Sequence, residues 1–152
     1  GEEPRAKAIA RALVLKRPIY STKALGGLIA ATVGPKGRWR THPATRTFQA
    51  IRIAVNRELD HLQVGLLAAI KLLQPTGRLV VISYHSLEDR LVKMTLARES
   101  AQCVCPPGFP SCVCEHKPTM KIINRKVIRA TIDEVTSNPR GRSARMRVAE
   151  RL

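Results

Sequence analysis

Apolar positions recur at helical spacing through the first half of the chain and condense into one short continuous run in the second. Residues 4–17 set Ala8, Ile9, Ala12 and Leu13 on one face behind Pro4, and Pro18 should end that helix. Ser21-Thr22 can cap a second helix through about Val33, with Leu25, Leu28 and Ile29 apolar. Gly34-Pro35-Lys36-Gly37 reads as a turn, and Arg38-Trp39-Arg40 leads on to His42-Pro43. Proline disfavours helix at the residue before it, so the third helical region begins at or just after Pro43. It runs from about Ala44 to Leu73, with a bend near Asn56–Leu59, and Gln74-Pro75-Thr76-Gly77 breaks it. Phe48, Ile51, Val55 and Leu59 make its first apolar stripe.

The continuous run is residues 78–84, Arg-Leu-Val-Val-Ile-Ser-Tyr, which suits a strand buried on both faces as in a parallel sheet. Ser86 is a plausible N-cap for a helix to about Glu99, with Glu88 and Asp89 at its positive end. Residues 102–118 form a Cys/Pro/Gly loop, 131–137 a short helix, and 144–149 alternate like a strand. Helix, short turn, buried strand and helix is the rhythm of an α/β fold. The helices before residue 42 do not share it, which predicts a helical module over 1–41 and an α/β part over 42–152.

Net charge is +16, with 27 Lys and Arg against 11 Asp and Glu. Such a surface suits a polyanion, nucleic acid first, because phosphate contacts release counterions. No apolar run approaches the roughly 18 residues needed to span a membrane, and the start does not read as a signal peptide. Aromatics are only 3%, which argues against a base-stacking sheet. Gly1 in place of a start methionine, followed at once by a helical pattern, suggests a piece of a longer protein.

Three stretches carry chemistry. In the first, residues 42–59, Arg46, Gln49, Arg52, Asn56 and Arg57 project away from the apolar stripe and could meet phosphates or base edges; the alternative is a core helix with a solvated basic face. In the second, Tyr84, His85 and Ser86 follow the strand, where ligands of open α/β sheets sit. His85 could orient or deprotonate an amine there, or serve only structure. In the third, residues 140–151 hold five arginines. Arg145 and Arg147 share one strand face and could grip a phosphodiester backbone, with Arg142 beside them; a solubilising edge strand is the alternative. Separately, Cys103, Cys105, Cys112 and Cys114 place four thiols within twelve residues. They could bind zinc as two C-x-C pairs, stay reduced in an ordinary loop, or form disulfides, which an intracellular setting disfavours.

HPATRTFQAIRIAVNREL at 42–59, YHSLEDR at 84–90 and NPRGRSARMRVAER at 138–151 resemble, in order, the motifs of the RsmH (MraW) family of S-adenosylmethionine-dependent methyltransferases of small-subunit ribosomal RNA. The resemblance runs over almost the whole chain and covers the later part of that family's fold: the later half of a Rossmann-like methyltransferase sheet with part of an inserted helical domain. It implies methyl transfer to the N4 amine of a cytosine in 16S rRNA, a partner in the small ribosomal subunit, and the bacterial cytoplasm. It further implies Tyr84, His85 and Ser86 at the pocket border and Arg46, Arg52, Arg142, Arg145 and Arg147 on RNA. Some relatives resemble the CxCPP…CxC loop, so zinc would stabilise the loop rather than act in catalysis. Asn138-Pro139 resembles the (D/N)PP(Y/F) box of amino-group methyltransferases but lacks its second proline and aromatic, and takes no such role. The nine glycines are scattered, with no glycine-rich strand–turn–helix, so no cofactor-binding residue is assigned. The competing readings are a non-catalytic basic RNA-binding or ribosome-associated module, and a zinc-loop interaction protein.

Overall fold

A computed structural model describes residues 2–34, 41–106, 108 and 111–152. The chain divides into two compact units, Gly1–Glu58 and Leu59–Leu152. The turn expected after Gly34 and its lead-in through Arg40 lie outside the described residues.

The first unit holds α1 (Ala6–Leu15), α2 (Thr22–Val33) and α3 (Thr45–Asn56). Ser21 caps α2 as its sequence suggests, its Oγ accepting from the Ala24 N–H at 3.1 Å. Ile9 of α1, Ile29 and Val33 of α2, and Ala44 at the start of α3 form a buried cluster, flanked by Leu13, Leu25 and Phe48. Thus α3, grouped by its sequence with the residues after it, contributes to the core of the residues before it. Its expected stripe is buried only at the amino end: Ile51 is 38% and Val55 75% exposed. Ala44 and Thr47 are the buried positions instead. At Arg57 the backbone turns left-handed (φ 50°), so the long helical region is two helices.

The second helix, α4 (Glu58–Leu72), leads into the second unit, with β1 (Arg78–Ser83), α5 (Ser86–Glu99), β2 (Met120–Ile122), β3 (Ile128–Arg129), α6 (Ile132–Ser137), a 3-10 helix (Pro139–Ser143) and β4 (Arg145–Arg151). Every described strand pair involves β4 and is antiparallel. β1 runs beside it from Arg78↔Glu150 to Ser83↔Arg145, while β2 and β3 pair with its two ends. In the gap between β2 and β3 the Asn124 side chain continues the ladder. Its Oδ1 accepts from the Val148 N–H and its Nδ2 donates to the Met146 carbonyl at 3.1 Å.

The parallel, doubly buried strand expected at 78–84 is therefore corrected. Leu79 and Val81 pack against Leu66 and Ile70 of α4, Val92 and Leu96 of α5, Met120 and Ala149. Val80 and Ile82 face the other way and stay 53% and 54% exposed. Apolar residues at consecutive positions serve a sheet with two apolar faces, and within this unit helices cover only one. The architecture is mixed α/β. Among the described residues no helix is long and apolar enough to cross a membrane.

Candidate functional site

The turn from β1 into α5 is fixed by a reciprocal pair of hydrogen bonds. His85, in extended conformation, is the N-cap, and its Nδ1 accepts from the Glu88 N–H at 3.2 Å. The Glu88 carboxylate in turn accepts from the Tyr84 N–H at 3.0 Å, which is capping-box logic. His85 therefore holds the position expected of Ser86, and its imidazole replaces a hydroxyl as cap acceptor. With Nδ1 accepting, the neutral ring carries its proton on Nε2. That buried atom lies 3.2 Å from Glu88 Oε1 but out of line for a hydrogen bond. In this geometry the lone pair a general base would use is already engaged.

Beyond the carboxyl end of β1, a cleft of about 280 Å³ is lined by Tyr84, Ser86, Arg129, Arg142, Ser143, Ala144 and Arg145. The fold thus brings together Tyr84, Ser86, Arg142 and Arg145 from stretches more than fifty residues apart, and adds Arg129, which sequence reasoning missed. Its signal was only one more cation in a basic stretch. His85 does not line the cleft.

Arg147 is elsewhere engaged. Its Nε donates to Asp89 Oδ1 at 2.6 Å and its second guanidinium nitrogen to Oδ2 at 3.2 Å, while Arg145 donates to Oδ2 at 3.3 Å. Arg147 and Asp89 side chains are 12% and 11% exposed, and Arg145 is 30% exposed. Arg145 and Arg147 do share a strand face, but it is the face toward α5. The Arg147 hydrogen bonds hold the Asp89 carboxyl below its usual 3.8, outweighing burial, with Arg145 adding to them. Arg147 is thus held in a half-buried ion pair with Asp89, whereas Arg145 keeps an edge on the cleft.

Arg46 and Arg52 belong to the first unit. Arg52 makes a two-pronged ion pair with Glu58 at 2.7 and 3.1 Å. Arg46 donates to the Glu2 carbonyl at 3.2 Å and borders a cleft of about 250 Å³ with Arg5, Thr41, His42 and Pro43. His42 organises the start of α3: its Nδ1 accepts from the Ala44 N–H and its carbonyl from the Thr45 N–H and hydroxyl.

The four cysteines converge. Their sulfurs all lie within 4.8 Å of one another, and no disulfide joins them. The Val104 N–H donates to Cys114 Sγ and the Cys105 N–H to Cys103 Sγ, both at 3.4 Å. Backbone donation from Val104 and His116 pulls the Cys114 thiol down to about 6. At Cys103 the Cys105 N–H also favours the thiolate, but the neighbouring thiols prevail and push it up to about 12. These four are the residues here whose chemistry suits a soft metal ion.

The description "MraW methylase family" matches residues 1–152. The chain belongs to that family. Among its relatives, a ribosomal RNA small subunit methyltransferase H of Thermomicrobium roseum is 54% identical over 155 residues, covering all of this chain and 47% of the relative. One of the same description from Dehalococcoides mccartyi is 55% identical over 152 residues and 43% of its length. A third, from Carboxydothermus hydrogenoformans, is 49% identical with half its length covered. This MraW-family chain therefore spans about half the length of the relatives it matches.

S-adenosylmethionine, the methyl donor that membership of a methylase family implies, does not fit the cleft beside β1. Its sulfonium and ammonium groups outweigh its one carboxylate and leave it net cationic, and its ribose hydroxyls call for a carboxylate. The cleft presents three arginines and no acidic side chain.

Proposed function

We propose that the protein carrying this chain is a methyltransferase of small-subunit ribosomal RNA, acting on the exocyclic N4 of a cytosine in 16S rRNA, in the bacterial cytoplasm. In it, this chain serves the RNA rather than the cofactor. The observation that carries this reading is the arginine-lined cleft beyond β1, which suits a phosphate and a base and repels a cationic donor. S-adenosylmethionine, bound by residues outside this chain, would supply the methyl group.

Tyr84, 58% exposed at the cleft, offers a ring on which an unstacked base can lie. Arg129 and Arg142, with the free edge of Arg145, hold the backbone flanking it. Such a base must leave its RNA stack to be reached. Ser86 lines the same cleft, beside the position proposed for the base. His85 positions Tyr84 and Ser86 by fixing the turn between strand and helix. In the first unit, Arg46 and Arg52 add further basic charge for RNA.

A second reading follows from the same misfit: the chain by itself binds RNA without catalysis. Both predict that calorimetric titration of this chain with S-adenosylmethionine shows no binding, and measurable binding would overturn the division of labour. RNA affinity measured against salt tests the cleft. Arg142→Ala should lower the salt slope by about 1, and an unchanged slope removes Arg142 from the interface.

A further inference from the structure

We propose that Cys103, Cys105, Cys112 and Cys114 form a structural tetrathiolate zinc site that clamps the loop between α5 and β2. It is independent of RNA binding and of methyl transfer.

The argument is geometric. Zinc bound by four thiolates at about 2.3 Å each sets tetrahedron edges near about 3.8 Å. The cysteine sulfurs already approach those edges, with Cys112–Cys114 at 3.5 Å and Cys103–Cys114 at 3.8 Å, and all four lie within 4.8 Å of one another. A disulfide would bring two sulfurs to about 2.05 Å and leave the other pair apart. Instead all four gather within 4.8 Å, two from each C-x-C arm. The N–H groups of Val104 and Cys105 donate to the sulfurs of Cys114 and Cys103, contacts that would orient metal-bound thiolates.

The ligand set closes at four sulfurs. His116, two residues beyond Cys114, has its Nε2 at 3.1 Å from the Arg98 carbonyl and is turned toward α5. With four sulfurs completing a tetrahedron and no open position, such a site is structural rather than catalytic. Soft thiolates in a tetrahedron select zinc over magnesium or calcium. Binding would release the thiol protons that remain, one for each sulfur that is protonated beforehand.

The loop has a use for it. No helix or strand lies among the described residues between Glu99 and Met120. Its ends are pinned where the Thr119 N–H donates to the Glu99 carbonyl at 2.8 Å and the Thr119 hydroxyl to the Glu99 carboxylate at 2.7 Å. Cys103 and Cys112 are exposed, so sulfur packing alone does not hold the cluster. Four ligands within twelve residues demand little loop-closure entropy, and a metal would supply what a core does not.

The test is elemental analysis of the chain purified under reducing conditions without chelator, followed by cobalt(II) substitution. About one zinc per chain is expected, with the absorption of tetrahedral cobalt–thiolate in the substituted protein. Cys114→Ser and Cys103→Ser should each lower zinc content about tenfold and abolish that absorption, whereas Ser111→Ala should change neither. Chelation should make residues 102–118 the first site of proteolysis while far-ultraviolet circular dichroism is retained. Zinc below about one-tenth per chain together with no cobalt–thiolate absorption would overturn the proposal. So would iron at these sulfurs in place of zinc, or Cys→Ser variants that keep their zinc.

Discussion

Replacing Asp89 by Asn tests the ion pair that ties α5 to β4. The substitution keeps the shape and removes the charge that three guanidinium nitrogens share at 2.6, 3.2 and 3.3 Å. A charge-assisted hydrogen bond contributes about 1.5–3 kcal/mol, and breaking a fully buried pair costs about 3–5 kcal/mol. Arg145 is 30% exposed and screened, and Arg147 remains near solvent at 12%, so the loss belongs at the lower end, about 2–3 kcal/mol at pH 7. The pH dependence has a definite sign. Because the folded pKa lies below 3.8, the stabilisation is present above that value and fades as pH falls through the folded pKa. Urea denaturation should therefore separate wild type from Asp89→Asn at pH 7, and the gap should close progressively below pH 3.8. A double-mutant cycle with Arg147→Met isolates the pair. Coupling under about 0.5 kcal/mol, or a gap that persists unchanged in acid, would refute the assignment of Arg147 to Asp89 rather than to RNA.

Removing the imidazole cap in His85→Ala should cost about 1 kcal/mol, and His85→Asn should recover most of it; equal melting temperatures for all three would dissociate the cap from stability. Gly77→Ala should destabilise by about 1–3 kcal/mol, because an added Cβ would sit 2.8 Å from the Gln74 carbonyl oxygen, and a neutral effect in urea denaturation would mean the turn relaxes freely. Val80→Lys with Ile82→Lys should sharply reduce apolar-dye fluorescence and self-association while shifting stability by under about 1 kcal/mol. Unchanged dye binding would show that the bare face of the sheet is not the apolar patch.

The features legible in sequence were local ones. Ser21 announces α2 because a cap and its helix are neighbours, and the break at Arg57 fell where the helical region was expected to bend. Tyr84, Ser86, Arg142 and Arg145 were read as site residues from two separate stretches, and the fold seats them at one cleft. Pairing direction was hidden, because the partner of Val80 is Val148 and periodicity within a strand says nothing about it. β2 and β3, at three and two residues, are too short to show a period. The Arg147–Asp89 pair was hidden because Asp89, 58 positions away, already had a sufficient local explanation as an acidic residue in the first turn of α5.

β4 has a further consequence, for the order of synthesis. β1, β2 and β3 each pair with β4, and each precedes it in the chain. While translation proceeds, α4 and α5 can coil as soon as they leave the exit tunnel, but the earlier strands wait with their edges open. The sheet closes only when residues 145–151 emerge, so the nascent chain passes through an interval in which β1 is free to pair with the wrong neighbour.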